Sequence, residues 1–242
     1  MKGWIHMEHH IKQSEVNRLI QETLGRWQKL KVSVPPWAAY SPMDWRRQIE
    51  EGKEGLDISE MVKWGQGLDI SNFPALGVKP DFSQCGLVLI TVENTSEYCH
   101  KLMFQRQNQE TPWHKHVNKN ETIGVGASRW GKLGISLYNS NEIDGCPDYM
   151  KSVRVKVNGC WRTVKADNPV QLQPGEFITL PAGVWHRFFA LYDDVSLWEV
   201  SAHNDDFDDN KFLVPRERFM KIEPDVLPAF VLCNDLHKLL PV

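Results

Sequence analysis

His114-Lys115-His116, followed five residues on by Glu121, and Gly175-x5-Pro181-x-Gly183-x2-His186 further along the chain supply three imidazoles and one carboxylate. On a β-strand the side chains at i and i+2 share a face, so His114 and His116 can grip one ion together while Lys115 points away. Val117-Asn118-Lys119-Asn120 has turn character, which predicts a hairpin that doubles back and sets Glu121 beside the two rings. The second half reads as a turn, Gln173-Pro174-Gly175-Glu176, a short buried strand, Phe177-Ile178-Thr179-Leu180, and a further turn, Pro181-Ala182-Gly183, that aims His186 from a different strand. A single strand histidine is more often a hydrogen-bonded core residue than a ligand. Two half-motifs in order, each with its spacing intact, point instead to a divalent cation held by His114, His116, Glu121 and His186. Nitrogen and carboxylate donors without sulfur suit Mn2+, Fe2+, Co2+, Ni2+ or Zn2+.

The elements that must position these ligands change character near Pro80, from helix-like patterns to strand-like ones. Val16, Leu19, Ile20, Thr23, Leu24 and Trp27 recur at helical spacing behind Ser14 as a candidate N-cap. Ser41-Pro42-Met43-Asp44 offers a second helix start, with Gly52 as its stop. Gly65, Gly67 and Asp69–Phe73 read as irregular connection. From Gln84 onward β-rich runs recur roughly every ten residues, as in a barrel or sandwich. We therefore expect one structural domain in three parts: an N-terminal helical extension over 1–80, a barrel over 81–212 and a C-terminal tail over 213–242, with a short helix within Val226–Leu236. The stretch 139–151 reads as a loop that covers the barrel mouth or packs on a partner subunit. The acidic run Asp205, Asp206, Asp208, Asp209 reads first as a solvated loop. Because it follows directly on the strand-like run Val195–Ser201, Asp205 and Asp206 are kept as candidates to bind hydroxyl groups of a ligand.

Composition excludes several classes. The chain has 242 residues, enough for a barrel with added helices, and a formal net charge of −3, which gives no basic footprint for nucleic acid. The longest apolar run, Gly86–Val92, is far too short to span a bilayer, and the first ten residues lack the pattern of a signal peptide. His6, His9 and His10 read as a solvated terminus and not as a metal site. Cys85, Cys99, Cys146, Cys160 and Cys233 are an odd number with no C-x-x-C pair, which fits a reducing compartment and a cytoplasmic protein.

The two half-motifs resemble those of the cupin superfamily, whose fold is a small antiparallel, jelly-roll-like β-barrel with a metal in its mouth; the fold class expected is mainly β. Two motif positions depart from that pattern: Asn108 stands where the first half-motif usually has Gly, and Ala190 where the second usually ends in Asn. Glu97-Tyr98-Cys99-His100-Lys101 and Trp198-Glu199-Val200-Ser201 are similar to the D-lyxose isomerase family, as are Pro35-Pro36-Trp37-Ala38 and Ser41-Pro42-x-Asp44-Trp45 to its longer members. That resemblance, from about Ser14 to Phe212, implies a homodimeric enzyme with Mn2+ on His114, His116, Glu121 and His186. By position it implies Lys101 and Glu199 as catalytic residues acting on a sugar.

The chemistry fits the residues. An aldose–ketose conversion moves a proton between neighbouring carbons through an enediol whose charge must be stabilised. Four protein ligands leave open positions on an octahedral ion for sugar oxygens, and the ion acts as a Lewis acid. Glu199 interrupts the apolar run Val195–Val200, where a solvated carboxylate would be less natural, and is the candidate base. Lys101 beside Leu102-Met103-Phe104 is the candidate to steady or protonate the oxygen, against the commoner fate of a surface lysine. The expected reaction interconverts D-lyxose and D-xylulose, and also D-mannose and D-fructose, which share the C2 and C3 arrangement. The rivals are a cupin-type oxygenase using the same ligand set with iron, and a non-catalytic sugar-binding cupin.

Overall fold

The computed structural model describes residues 10–52, 55–75 and 81–240. Pro80, His6 and His9 lie outside the described residues. The strands are β1 (Ile11–Lys12), β2 (Gly67–Ser71), β3 (Leu87–Asn94), β4 (Cys99–Gln105), β5 (His114–His116), β6 (Glu121–Ala127), β7 (Lys132–Ser140), β8 (Pro147–Asp148), β9 (Val153–Val157), β10 (Cys160–Val164), β11 (Val170–Leu172), β12 (Phe177–Leu180), β13 (Trp185–Leu191), β14 (Val195–Ser201), β15 (Asn210–Phe212) and β16 (Ile222–Glu223). An eight-stranded antiparallel sheet, β10-β9-β12-β6-β14-β4-β3-β2, faces a six-stranded one built on β11-β7-β13-β5-β15, with β8 added to β7. The fold is mainly β and cupin-like.

Alternation along β3 shows how the layers are made. Leu87 and Leu89 join the core between the sheets with Met103, Ile123, Val125, Ile135, Leu137 and Phe188. Val88 and Ile90 face outward, where α1 (Gln13–Lys29) lays Val16, Leu19, Ile20 and Trp27 over them. Both faces of β3 are thus buried, which is why this stretch is apolar without interruption. Trp27 is fully buried and donates its indole N–H to Ser196 Oγ at 2.8 Å, fixing α1 to β14.

Helix α2 (Pro42–Glu51) starts at Ser41 and stops at Gly52 as expected; Ser41 and Asp44 form a capping box, and Gly52, at φ 59°, is the left-handed cap. Three readings are corrected. Ser14 is not the cap of α1: the helix begins at Gln13, and Ser14 donates instead to Asp225 of the tail at 2.6 Å. Gly67–Ser71 is an edge strand and not irregular, because pairing with β3 satisfies its backbone and burial of Leu68 and Ile70 stabilises it. The short C-terminal helix is present but lies later than Val226–Leu236 and is a 3-10 segment, Cys233–Leu239, which packs Leu236 against α3 (Ile58–Trp64), a helix capped by Asp57 and not predicted from the sequence.

The 139–151 loop is not part of the cavity wall. Lys115, pointing away from its two histidine neighbours as alternation requires, donates to the Gly145 carbonyl at 2.6 Å and to Ser140 Oγ at 3.0 Å. Trp185 donates to the same carbonyl at 2.9 Å, so the loop is stapled to the outside of the six-stranded sheet.

Candidate active site

The metal-ligand candidates meet inside the barrel, although not by the hairpin the spacing predicts. β5 pairs with β13 and β15, whereas β6 pairs with β12 and β14. The turn after His116 therefore crosses from one sheet to the other, and Glu121 approaches the histidines across the interior. His186 stands directly opposite His114 in the register of β13 and β5. Gly183, at φ 82°, turns the chain into β13 and donates its N–H to the His116 carbonyl at 2.7 Å, which ties the two half-motifs together through backbone. The motif departures also meet: Asn108 takes φ 68°, where asparagine is the side chain that best replaces glycine, and donates its N–H to the Ala190 carbonyl at 3.1 Å.

All four groups are buried, and one ring nitrogen from each of His114, His116 and His186 falls within 4.8 Å of the others. His114 Nδ1 lies 2.9 Å from the Pro112 carbonyl and His186 Nδ1 3.0 Å from the Val184 carbonyl. A carbonyl only accepts, so each Nδ1 carries the proton and leaves the Nε2 lone pair free, the tautomer a metal ligand needs. Glu121 Oε1 lies 2.9 Å from His186 Nε2 and Oε2 lies 3.4 Å from His116 Nε2. At 2.9 Å, His186 Nε2 and Glu121 Oε1 nonetheless lack hydrogen-bond alignment and have no other partner. Two buried acceptors that converge without bonding fit a common cation between them. Burial, with His186 and His116 beside it, pushes His114 well below the usual histidine range, so it is neutral. Burial would raise the Glu121 carboxyl, but His116, Lys119 and His186 hold it well below the carboxylate range.

A second cluster of charge lies alongside. Lys101 and Glu199 are cross-strand partners on β4 and β14, with Nζ and Oε1 3.4 Å apart. Lys119, in the polar turn Val117-Asn118-Lys119-Asn120, is 3% exposed. It donates to Glu199 Oε1 at 2.8 Å and lies 3.4 Å from Glu121 Oε2, bridging the two carboxylates. Asn204 Oδ1 accepts from Lys101 at 2.6 Å and from Lys119 at 3.2 Å. Burial pushes the Glu199 carboxyl up, and the ammonium groups of Lys101 and Lys119 outweigh it and hold the group below the usual range. Glu199 is therefore ionised at neutral pH, as a base must be.

His114, His116 and Glu121 line one cavity together with Lys101, Lys119 and Glu199, and Leu87, Leu89, Met103, Phe188 and Phe212 form its apolar wall. Asp206 lines it too, held ionised by Arg218, which donates to it at 2.7 Å and to buried Asp69 at 2.6 Å. Asp205 is placed apart: its carboxylate accepts from the Phe207 and Asp208 amides, both at 2.9 Å, and caps its own turn outside that cavity wall.

The D-lyxose isomerase family model matches residues 11–236. The chain belongs to the D-lyxose isomerase family. It is 34% identical over 236 residues to the D-lyxose/D-mannose isomerase of Serratia proteamaculans, spanning 93% of this chain and 97% of that one. To the D-lyxose/D-mannose isomerase of Escherichia coli O157:H7 it is 32% identical over 238 residues, spanning 94% and 99%. Among solved structures the L-ribose isomerase of Cellulomonas parahominis superposes with TM-score 0.52 at 13% identity, covering 90% of this chain and 100% of that one. A variant of the Acinetobacter sp. DL28 L-ribose isomerase in complex with L-ribose gives 0.53 at 12% identity, covering 89% and 99%. At that identity the likeness is one of fold. Membership makes this protein a sugar isomerase. No helix among the described residues is long and apolar enough to cross a membrane.

Proposed function

We propose that this family member interconverts D-lyxose and D-xylulose, and D-mannose and D-fructose, at a site that holds a divalent cation, with Mn2+ as the native ion. The observation that carries the reading is the buried carboxylate of Glu199, set between two ammonium groups in the cavity lined also by His114, His116 and Glu121, with His186 against Glu121. The names of the curated relatives, both D-lyxose/D-mannose isomerases, support the pair of substrates.

A cation bound by those four residues would polarise the sugar carbonyl and offset the negative charge that develops beside it. Glu199 takes the proton from C2 of the open-chain aldose and returns it to C1, and the enediolate between the two steps keeps one face toward this carboxylate. Lys101 donates to the oxygen that gains charge. Lys119 holds Glu199 ionised before the first transfer and stays fixed by its bonds to Asn204 and Glu199. The apolar wall keeps bulk water from the carbons during transfer. A homodimer in the cytoplasm completes the proposal; five cysteines without a disulfide support the reducing compartment.

The test is conversion of D-lyxose by the Mn2+-loaded protein in heavy water, followed by NMR. D-xylulose that forms with loaded protein and disappears with chelator is the expected result, and the amount of deuterium at C1 reports how far the proton carried by Glu199 exchanges with solvent before it is returned. No ketose from either D-lyxose or D-mannose would overturn the substrate reading. Turnover that required dioxygen would favour the oxygenase.

A further inference from the structure

Asp209 is the most buried member of the acidic run, at 5% exposed. Its carbonyl accepts the Val117 N–H at 3.0 Å, and its Oδ1 accepts the Asn118 N–H. These bonds clamp it against the end of β5, where β15 begins with Asn210 opposite His116. The remaining oxygen, Oδ2, lies 3.4 Å from His116 Nδ1, and both atoms are buried with no hydrogen-bond partner elsewhere. The three imidazoles are thus oriented in two ways. His114 and His186 each use the carbonyl two residues upstream, a neutral and purely local acceptor. His116 uses a full negative charge delivered from a distant loop.

We infer that Asp209 is the positioning residue that fixes His116 in the tautomer with a free Nε2 lone pair, so that the cation affinity of the site depends on a carboxylate touching neither cation nor sugar. The inference rests on the cation reading proposed above. A carboxylate behind a ligating imidazole sets its proton on the far nitrogen, orients the ring and raises its basicity. Substitution by asparagine reverses that logic while keeping shape. If the amide oxygen continues to accept from Asn118, the NH2 group faces His116 Nδ1. Two donors cannot pair, so the ring proton moves to Nε2, the atom that must be bare to bind a cation.

The experiment titrates Mn2+ into the full chain by electron paramagnetic resonance, for wild type, Asp209→Asn and the exposed neighbour Asp208→Asn, which removes the same charge without meeting His116. Ring 15N shifts of His116 in the chelator-treated proteins report the tautomer, and thermal unfolding reports the fold. Asp209→Asn is expected to weaken Mn2+ binding about 10–100-fold and to move the His116 proton to Nε2, with Asp208→Asn matching wild type and all three unfolding alike. A wild-type Kd in Asp209→Asn, or weaker binding with the His116 proton still on Nδ1, overturns the inference. Wild type that takes up no Mn2+ overturns the cation reading itself.

Discussion

The six-stranded sheet contributes imidazoles to the site and the eight-stranded sheet contributes charges. His114, His116 and His186 sit on β5 and β13; Lys101, Glu121 and Glu199 sit on β4, β6 and β14, with Lys119 in the crossing between them. On the imidazole side, two of the three rings are oriented by backbone carbonyls two residues upstream, which carry no charge and depend on no other side chain. On the charged side each group is ionised because another is: Glu199 depends on Lys101 and Lys119, and Lys119 on Glu199 and Glu121. Neutral groups can be placed one at a time, whereas buried charges must be placed as a set.

That contrast breaks first at the ligands. His186→Ala removes the ring opposite His114 and is expected to abolish bound Mn2+ and turnover together, measured by metal analysis of the purified protein; unchanged metal content would dissolve the ligand set. Glu199→Gln should instead leave metal content intact and lower kcat by roughly 10²–10⁴-fold, which would place proton transfer wholly on the charged sheet. A near-normal rate would remove Glu199 from the chemistry.

Lys119→Met sharpens the dependence among charges. The Glu199 carboxyl is pushed up by burial and held down by its two ammonium neighbours, so losing one of them raises it. The base form then survives only at higher pH, and the acid limb of kcat/KM against pH moves upward. An unmoved limb would mean that Lys119 does not set the charge of Glu199. The smallest effect is expected for Lys115→Met, between two ligands yet on the opposite face. It should cost about 1 kcal/mol of stability through the lost Gly145 and Ser140 bonds and leave kcat unchanged, as thermal unfolding and steady-state rates would show.

The imidazole side was legible in the sequence because its signals are local. His-x-His states a shared strand face, and Gly183 states a turn with positive φ before His186. The partition of β5 and β6 between two sheets was not legible, since a polar turn between strands looks the same whether the chain folds back or crosses over. Lys101 and Glu199 came from family resemblance, with strand patterning in support. Lys119 and Asn204 escaped because nothing in Asn118-Lys119-Asn120 or His203-Asn204-Asp205 marks a residue as buried; only the crossing turn and the Asn94–Asn204 bond, 3.0 Å long, put them inside. Asp209 carried the signal of a solvated run that its immediate neighbour Asp208 obeys. Gly67–Ser71 was lost for a different reason: a strand completed by pairing across a long gap has weak pattern of its own.

The short backbone bond from Gly183 to the His116 carbonyl joins strands that a metal would otherwise have to draw together. In many small metalloproteins the ion assembles its own pocket and the empty chain collapses. Here a backbone bond already joins the two half-motifs, so occupancy by the proposed cation would be a matter of ion supply rather than of chain maturation. If the proposed cation binds there, such a protein can be emptied and refilled many times within its lifetime, and the fraction at work at any moment would track the free ion around it.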